Sequence, residues 1–407
     1  MRILVVNQYF YPDRSATAQL LTELCDDLSQ HHEIQVVAGR PSYNQARSLD
    51  TLPFPISDVR VSRAWSTTFN RAWMPGRLTN YATYLTTSLA AAITATRPDL
   101  VLAWTDPPLI GLVAAMAAKA KRVPFVLATQ DIFPDVAIQL GRLTSPAVIR
   151  LLRGTAGRQF SSAVRIVSLG RDMDRRLEAL GVQKQKIRTV GNWADGSLIR
   201  PLSHPSPMRE AWGFGNSFVV MHAGNVGLSQ SLETLIDAAD LLRGHSDILI
   251  AIVGEGAAKA RLQADVHRRG ITNVRFLAFQ PKESLSESLA AGDAHLVSLK
   301  RGLAGFIVPS KVYGIMAAGR PIIAAVESDS EPGLIVEEYG CGLRIEPDDP
   351  GALAEGILRM RDTNSEEMGR RGRRAFEQSF DRGIATTAYR KLLEEVVEEA
   401  RYNKSFV

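Results

Sequence analysis

Cysteine and metal-binding histidine patterns are scarce in this chain. Only Cys25 and Cys341 are present among 407 residues, and they lie far apart in sequence. A disulfide framework or a thiolate metal site is therefore not expected, and the composition fits a reducing cytoplasm. The seven histidines never show the H-x-x-x-H spacing of a zinc site, so no metal and no cofactor are predicted.

Long apolar runs are also missing. No run reaches the roughly 18 residues that a transmembrane helix needs. The N-terminal segment, MRILVVNQYF, becomes polar too soon for a signal peptide and is better interpreted as a first strand. A length of 407 residues with 45% hydrophobic and 22% charged residues is typical of a globular protein of two domains.

Positive charge is concentrated in the first half of the chain. Residues 1–195 contain 23 Lys and Arg against 15 Asp and Glu, whereas residues 196–407 contain 25 against 28. The first half therefore favours an anionic partner, such as phosphate groups, an acidic membrane surface or nucleic acid. Nucleic acid is the weakest of these options, because acidic residues are interspersed and no nucleic-acid module is recognisable.

Strand and helix patterns alternate in both halves, which predicts an α/β protein with parallel sheets. The turn-rich stretch 191–207 separates a first domain, residues 1–195, from a second, residues 196–383. Residues 42–80 are interpreted as irregular, and residues 384–407 as a terminal helix. In such folds the loops that follow the carboxyl ends of the strands form the site.

Two loops of the first half are candidates by this rule. Asn7–Thr17 follows the first strand and contains no glycine, so it is not a dinucleotide fingerprint. Gln130 and Asp131 follow a later strand, where a carboxylate could act as an acid or base. We expect Asp135 to cap the next helix.

Arginine and aromatic residues interleave in residues 60–77. This composition suits a membrane interface, and the alternative is that the tryptophans pack under a long loop. The residues are Arg60, Arg63, Trp65, Phe69, Arg71, Trp73 and Arg77.

Three turns of the second half predict an anion site. Glycine loops at Gly224–Gly227 and Gly254–Gly256 lie between a strand and a helix, where backbone N–H groups can approach a diphosphate. Pro309, Ser310 and Lys311 open a helix, with Ser310 as the expected N-cap. Lys311 would offset charge on a phosphate leaving group. His222 is interpreted as a packed histidine rather than a catalyst.

The order of these motifs resembles that of glycosyltransferase family 4. The donor-side segments are HAGNVGLSQSLETLIDAADLL, IVGEGAAKARL, FLAFQPKESLSESLAAGDAHLVSLK and VPSKVYGIMAAGRPIIA, and the acceptor-side segments are NQYFYPDRSATAQLLTEL and QDIFPDVAIQLGRL. The resemblance extends to a fucosamine-transferase-like subgroup of surface polysaccharide assembly. It implies a GT-B fold, in which two Rossmann-like domains face across a cleft and the last helix, 384–407, packs back on the first domain. It also implies metal-independent, retaining transfer from a nucleotide-diphosphate sugar, with UDP as the expected nucleotide.

The resemblance carries roles onto individual residues. Those expected to bind the donor are Gly224, Asn225, Gly227, Gly254, Glu255, Gly256, Phe279, Gln280, Pro309, Ser310, Lys311 and Glu331. Those expected to bind the acceptor are Asn7, Tyr9, Tyr11, Arg14, Thr17 and Asp106. Asp131, Gln130 and Lys311 are the expected catalytic residues.

Two departures from the family pattern stand out. Gln130 occupies a position where many members have histidine. Phe306 and Gly314 occupy the positions of two glutamates, so that Glu331 or Glu327 would have to bind the ribose in their place. The alternative functions are a sugar-nucleotide epimerase of the same fold and a silent sugar-nucleotide-binding subunit. The leading hypothesis is a cytoplasmic enzyme, peripheral on the inner membrane face, with a lipid-linked or saccharide acceptor.

Overall fold

The chain forms two units, each built on a parallel sheet. The structure is a computed structural model and describes residues 1–13, 15–41, 58–69, 74–202 and 205–404. One unit comprises Met1–Gly191 together with Ala385–Val407, and the other comprises Asn192–Ile384. The predicted α/β class with two Rossmann-like parallel-sheet domains is confirmed.

The sheet of the first unit has the strand order β3-β2-β1-β4-β5-β6-β7, and all neighbouring strands are parallel. Three of its strands carry runs of apolar residues that are buried on both faces, as is typical of parallel sheets. The strands are β1 Arg2–Val6, β2 Glu33–Gly39, β3 Val59–Ala64, β4 Leu100–Trp104, β5 Phe125–Ala128, β6 Arg165–Ser168 and β7 Ile187–Thr189.

The helices of the first unit connect these strands. They are α1 Ala16–Ser29, α2 Met74–Thr94, α3 Ile110–Lys121, α4 Asp135–Gln139, α5 Pro146–Ser162 and α6 Arg171–Ala179. Helix α1 begins at a serine cap, because the Ser15 side chain accepts a hydrogen bond from the Ala18 amide.

The sheet of the second unit has the order β10-β9-β8-β11-β12-β13 and is also parallel. Its strands are β8 Phe218–Ala223, β9 Ile248–Val253, β10 Val274–Leu277, β11 Ala294–Ser298, β12 Ile322–Ala325 and β13 Gly342–Ile345. Its helices are α7 Pro207–Ala211, α8 Leu232–Leu241, α9 Lys259–Arg269, α10 Leu285–Ala290, α11 Lys311–Ala317, α12 Glu331–Tyr339, α13 Pro350–Asp362 and α14 Ser365–Ser379.

The last helix, α15 Arg382–Lys404, packs on the first unit from Ala385 onward. Its Tyr389 ring stacks on Trp104 at the end of β4, with 6.1 Å between the ring centroids. On the same helix Glu399 pairs with Arg165 of β6 at 2.7 Å. Leu393 is completely buried, so apolar contact anchors the helix and ion pairs border it.

Four helices and strands were not predicted from the sequence, and one of them is the short helix α7. The interpretation of residues 42–80 as irregular is wrong at Val59–Ala64, which is an exposed edge strand with no apolar run to reveal it. No prediction covered α5, whose N-terminal half buries little apolar surface. The short strand β13 also escaped notice, because its residues are only partly buried.

The glycine turns after β8 and β9 pack directly against each other. Gly254 has a φ of +144°, and a Cβ atom there would lie 1.9 Å from the Gly224 carbonyl oxygen. A Cβ atom at Gly256 would lie 2.3 Å from the Val226 carbonyl oxygen. Glycine is therefore required here for the close approach of two backbone segments.

We expect Gly254→Ala to destabilise the second unit by roughly 2 kcal/mol or more, because it adds both a backbone clash and a disfavoured φ. Gly314→Ala is the control. A Cβ atom in the middle of α11 would meet only Ile199 and Leu289, at ordinary contact distances of 3.8 and 4.0 Å. This control should be neutral or stabilise by up to about 1 kcal/mol. Urea unfolding measures both, and equal stability of the two variants would contradict the packing argument.

Candidate functional site

The two predicted glycine loops of the second unit form one surface at the carboxyl edge of the sheet. The Gly224 amide donates to the Val253 carbonyl oxygen at 2.9 Å, and the Val226 amide donates to the Glu255 carbonyl oxygen at 2.9 Å. The Gly254 amide donates to Leu277 at the end of β10 at 3.2 Å. The amides of Gly224 and Val226 thus join the first turn to the second, and the Gly254 amide joins the second turn to β10. Gly224 and Gly254 therefore serve close packing rather than direct donation to a ligand.

The Gly227 amide could bind a ligand only if a neighbouring side chain moved away. Its amide donates to the side-chain oxygen of Gln230 at 3.1 Å. A phosphate oxygen that bound this amide would have to displace the Gln230 side chain. Asn225 lies at the exposed tip of the same loop, where its backbone follows Gly224.

Lys311 lies beside the Gly224 loop. A Cβ atom at Gly224 would lie 3.9 Å from Lys311 Cε. Lys311 Nζ is 3.2 Å from each ring nitrogen of His222, the histidine near the end of β8. His222 Nε2 also lies 3.2 Å from the Asn225 carbonyl oxygen. The assignment that satisfies both contacts has Nε2–H donating to Asn225 and Nδ1 accepting from the Lys311 ammonium.

The charges of this pair are set by burial. Burial lowers the pKa of Lys311 to about 7. Burial, and then the nearby Lys311 ammonium, lower the pKa of His222 well below its usual range. Near neutral pH the ring is therefore neutral, and the lysine is divided between its charged and neutral forms.

The start of α11 differs from the prediction in one respect. Ser310 precedes the helix with helical backbone angles, φ −67° and ψ −17°, and its side chain makes no capping hydrogen bond. The expectation that Ser310 is a capping residue is therefore wrong. Pro309 precedes it and is half-buried. Lys311 is the first residue of the helix, where the dipole and unpaired amides favour an anion.

The other residues that are expected to bind the donor lie on several different segments. Glu255 pairs with Lys259 at 2.7 Å and keeps most of its side chain exposed. Phe279 is 44% exposed and, with Gln280, follows β10, the strand whose end holds the Gly254 amide. The Gln280 side chain donates to the Ala278 carbonyl oxygen at 3.0 Å.

The two carboxylates that could bind the ribose, Glu327 and Glu331, have different surroundings. Glu327 accepts hydrogen bonds from the amides of Gly302 and Ala304, at 3.0 and 3.4 Å, and so holds the loop that leads to Phe306. Glu331 is the first residue of α12 and is buried, and Ser330 caps that helix. Phe306 is buried as well.

In the first unit, a threonine that the sequence analysis did not consider connects two site loops. The Thr105 hydroxyl accepts hydrogen bonds from the amides of Gln130 and Asp131, at 2.9 and 3.2 Å. It donates to the Asp131 carboxylate at 3.1 Å. Because Thr105 follows β4 and Asp131 follows β5, one hydroxyl group joins the ends of adjacent strands.

The loop after β1 joins the same network. The Gln8 amide donates to the Asp106 carbonyl oxygen at 3.0 Å. Asn7 is completely buried and donates to the Tyr9 carbonyl oxygen at 2.6 Å. The structure therefore brings Asn7, Tyr9 and Asp106 together with the Gln130–Asp131 pair at one edge of the sheet.

The two carboxylates after β5 have different environments. Burial raises the pKa of Asp131 to about 6, although the Thr105 hydrogen bond partly opposes that shift. The expectation that Asp135 caps a helix is wrong: Asp135 lies inside α4 and accepts hydrogen bonds from Arg153 Nη2 and Nε, at 2.5 and 3.2 Å. Asp131 is thus the carboxylate suited to proton transfer.

Other predicted residues lie around this network. The Tyr11 amide donates to Thr22, and the Tyr11 carbonyl oxygen accepts from Arg63, which also donates to Gly39. Thr17 lies in the first turn of α1 and is half-buried. Arg14 lies outside the described residues.

The Arg/Trp-rich segment is only partly described. Trp65 and Phe69 are 48% and 49% exposed, so in the described part the aromatic side chains do not pack away under a loop. Arg60 is exposed and pairs with Glu33. Arg71, Trp73 and the side chain of Arg77 lie outside the described residues.

Neither a metal-binding cluster nor a membrane-spanning helix is found among the described residues. Within residues 1–13, 15–41, 58–69, 74–202 and 205–404, no three His, Cys, Asp or Glu side chains are grouped so that they could hold a metal ion. No helix in those ranges carries an apolar stretch long enough to span a bilayer.

Three contacts escaped the sequence analysis: Thr105 with Asp131, His222 with Lys311, and Gln230 with Gly227. The first could have been suspected, since Thr105 directly precedes Asp106 at a strand end. The second joins residues 89 positions apart and has no local pattern.

Relatives of the chain are glycosyltransferases. It is 28% identical over 309 residues to "Probable glycosyltransferase WbjE" of Pseudomonas aeruginosa, covering 75% of this chain and 77% of the relative. It is 26% identical over 382 residues to WcaI of Escherichia coli K12, a glycosyl transferase assigned to colanic acid biosynthesis, covering 88% and 91%.

Solved structures show the same fold. HepE of Anabaena, crystallised with UDP and glucose, gives a TM-score of 0.74 at 18% identity, covering 97% of this chain and 100% of that one. Sucrose-phosphate synthase of Thermosynechococcus elongatus gives 0.77 at 14% identity, covering 98% and 100%. Both are GT-B glycosyltransferases, so the GT-B fold is confirmed.

Family matches cover most of both units. Residues 15–193 match the family Glycosyl transferase 4-like domain. Residues 207–377 match the family Glycosyl transferases group 1. The two matches together span most of the chain, which therefore combines a Glycosyl transferase 4-like domain with a Glycosyl transferases group 1 domain.

Proposed function

We propose that the protein is a retaining, metal-independent glycosyltransferase of cell-surface polysaccharide biosynthesis. It transfers a sugar from a nucleotide-diphosphate sugar to a lipid-linked or saccharide acceptor. The observation that carries the proposal is the position of Lys311, a half-buried residue at a helix start, whose amine lies against His222 beside the Gly224 loop. The assignment of the relative WcaI to colanic acid biosynthesis supports the polysaccharide part.

The chemistry needs such a group. In the transfer, the bond between the anomeric carbon and the phosphate oxygen breaks, and the nucleoside diphosphate leaves with an additional negative charge. Lys311 stabilises that charge, because an ammonium in a poorly solvated site interacts strongly with an anion. The neighbouring His222 remains neutral and therefore does not repel the ammonium.

UDP is the proposed nucleotide, since a neighbour of the same fold was crystallised with UDP and glucose. Phe279 and Gln280 would lie beside the base, and Glu331 would bind the ribose. The sugar is proposed to be an N-acetylated amino or deoxy sugar, from the resemblance of the chain to fucosamine-transferase-like enzymes.

The first unit is proposed to bind the acceptor. Its polar edge holds Asn7, Tyr9 and Asp106 together with Asp131. A carboxylate with a pKa of about 6 is largely ionised at neutral pH and can accept the proton of an acceptor hydroxyl. Gln130 lies next to it as a neutral hydrogen-bonding group, and Tyr11, Arg14 and Thr17 are proposed to complete the acceptor site.

An inner-membrane location is part of the proposal. The cationic first half and the exposed Trp65 and Phe69 of the Arg/Trp-rich segment suit an anionic bilayer surface. The protein would then act in the cytoplasm, peripheral to the membrane, on an acceptor presented by lipid.

A silent nucleotide-binding subunit is the second candidate, because no carboxylate stands at Phe306 or Gly314. Turnover decides between the two functions. A chain that binds a nucleotide sugar and never releases the nucleoside diphosphate, with any acceptor extract, would be the silent subunit.

We expect a panel of nucleotide sugars and nucleoside diphosphates to raise the melting temperature selectively for UDP compounds. A ligand that binds only the folded state stabilises it by mass action, about 2.7 kcal/mol at a hundred times its Kd. EDTA should not reduce this shift if binding needs no metal. Equal shifts with GDP or ADP compounds would contradict the UDP assignment.

Lys311→Ala should lower turnover by about a hundredfold, the usual effect of losing one charge-stabilising group. The exposed Lys300 provides the control, and Lys300→Ala should keep normal turnover. Because the pKa of free Lys311 is about 7, binding a diphosphate above that pH requires proton uptake. Wild-type affinity for UDP should therefore fall as the pH rises above about 7, and in Lys311→Ala this dependence should vanish. Near-normal turnover of the variant would remove Lys311 from the site.

Asp131→Asn should lower turnover strongly while leaving UDP affinity unchanged. The folded pKa of Asp131 is raised, so ionisation of this carboxyl group destabilises the fold as the pH rises from about 4 to 6. The variant should accordingly match wild type in melting temperature at pH 4 and exceed it above pH 6. Thr105→Val removes the hydrogen bond that lowers this pKa, and should move the acidic limb of the rate profile to higher pH. A profile that stays in place would show that Asp131 does not set the rate.

A further inference from the structure

Helix α5 carries an exposed face that the fold does not use. Leu151 is 66% exposed and Val148 is 41% exposed, although both are large aliphatic residues. Arg150 directly precedes Leu151, and Arg158 lies two turns further along on the same side; both are exposed. The residues that α5 buries, Ala156, Gln159 and Phe160, are confined to its C-terminal half.

The charge of this region has a single sign. Residues 136–171 contain six arginines and no aspartate or glutamate. One of them, Arg153, pairs with the buried carboxylate of Asp135 and thereby connects α5 to the loop of Asp131. Arg142, Arg150 and Arg158 remain exposed around Leu151.

We propose that this face of α5, formed by Val148, Leu151 and Arg158 with Arg150 at its border, docks on an anionic phospholipid bilayer. Aliphatic side chains among arginines are the composition of a helix that lies in a membrane interface, where the apolar groups enter the acyl boundary and the guanidinium groups meet phosphate. The inference rests on the proposed function, because a lipid-linked acceptor is what would bring the enzyme to a bilayer.

Other occupants fit less well. In a symmetric dimer the same arginines would face each other, and like charges in contact are unfavourable. Nucleic acid would meet the arginines but would leave Leu151 without an apolar partner. A bilayer of anionic lipid satisfies both the charge and the exposed leucine.

The ion pair between Arg153 and Asp135 links this face of α5 to the proposed acceptor site. Asp131 and Asp135 belong to the one short segment that follows β5, and Arg153 holds the second of them. Docking through α5 would therefore place this segment of the acceptor side close to the membrane surface, where the head group of a lipid-linked acceptor is found.

The test is flotation of the full chain with vesicles of phosphatidylglycerol and phosphatidylcholine, compared with vesicles of phosphatidylcholine alone. Wild type should bind the anionic vesicles and dissociate as salt is added. Arg150→Glu with Arg158→Glu should weaken binding by more than about tenfold, since each arginine near an anionic surface contributes roughly fivefold. Leu151→Gln should weaken it by about tenfold through the lost apolar contact.

The control variants make the same kinds of substitution in the second unit. Leu241→Gln alters a leucine that is 63% exposed on α8 of the second unit, and Arg359→Glu with Arg374→Glu makes the same charge change on α13 and α14. Both controls should bind vesicles as wild type does. Every variant should retain its UDP melting shift, which separates loss of docking from failure of the proposed donor site.

Three outcomes would overturn the proposal. The first is equal binding to neutral and anionic vesicles. The second is unchanged binding in the α5 variants, particularly if Trp65→Ser with Phe69→Ser abolishes it. The third is a wild-type dimer in sizing experiments that Leu151→Gln converts to monomer without any loss of vesicle binding, which would assign the face to a second copy of the chain.

Discussion

Burial of the Lys311 ammonium is the constraint on which the candidate donor site depends. The amine is placed against a neutral imidazole, whose lone pair provides only partial compensation for lost solvation. Its pKa therefore falls to about 7, and the site is left with an incompletely compensated positive charge. In the proposed function an arriving diphosphate would supply the missing counter-charge, so that the cost of burying the amine would become binding energy for an anion.

The glycine turns make this placement possible. Gly224 and Gly254 allow the ends of β8 and β9 to approach so closely that a Cβ atom at Gly254 would collide with the neighbouring backbone. The Gly224 amide is used in that contact and the Gly254 amide donates to the Leu277 carbonyl oxygen, whereas the Gly227 amide donates to the Gln230 side chain. The glycines thus act by shaping the backbone, which is a different role from the direct phosphate donation that a glycine loop suggests.

Patterns with a fixed period or a fixed residue type could be predicted from the sequence. The alternation of apolar strands and helices predicted both sheets. The glycine loops and Lys311, which were predicted to form a site, lie close together in the second unit. Contacts that depend on tertiary approach could not be predicted. Nothing local distinguishes His222 from other polar residues at strand ends. The partner of Asp135 is an arginine from α5, and the sequence of that helix shows no buried apolar stripe by which it could be predicted.

The same sheet topology carries two different kinds of polar edge in this chain. In the second unit the edge presents backbone turns and one amine, which suits a charged ligand such as a diphosphate. In the first unit it presents side chains joined through one hydroxyl, with a carboxylate whose pKa is raised to about 6 by burial. That difference follows from the loops: those after β8 and β9 contain glycine, whereas Asn7–Thr17 contains none, so only polar side chains are available there. In the proposed function, binding of an anion and transfer of a proton would therefore belong to different units.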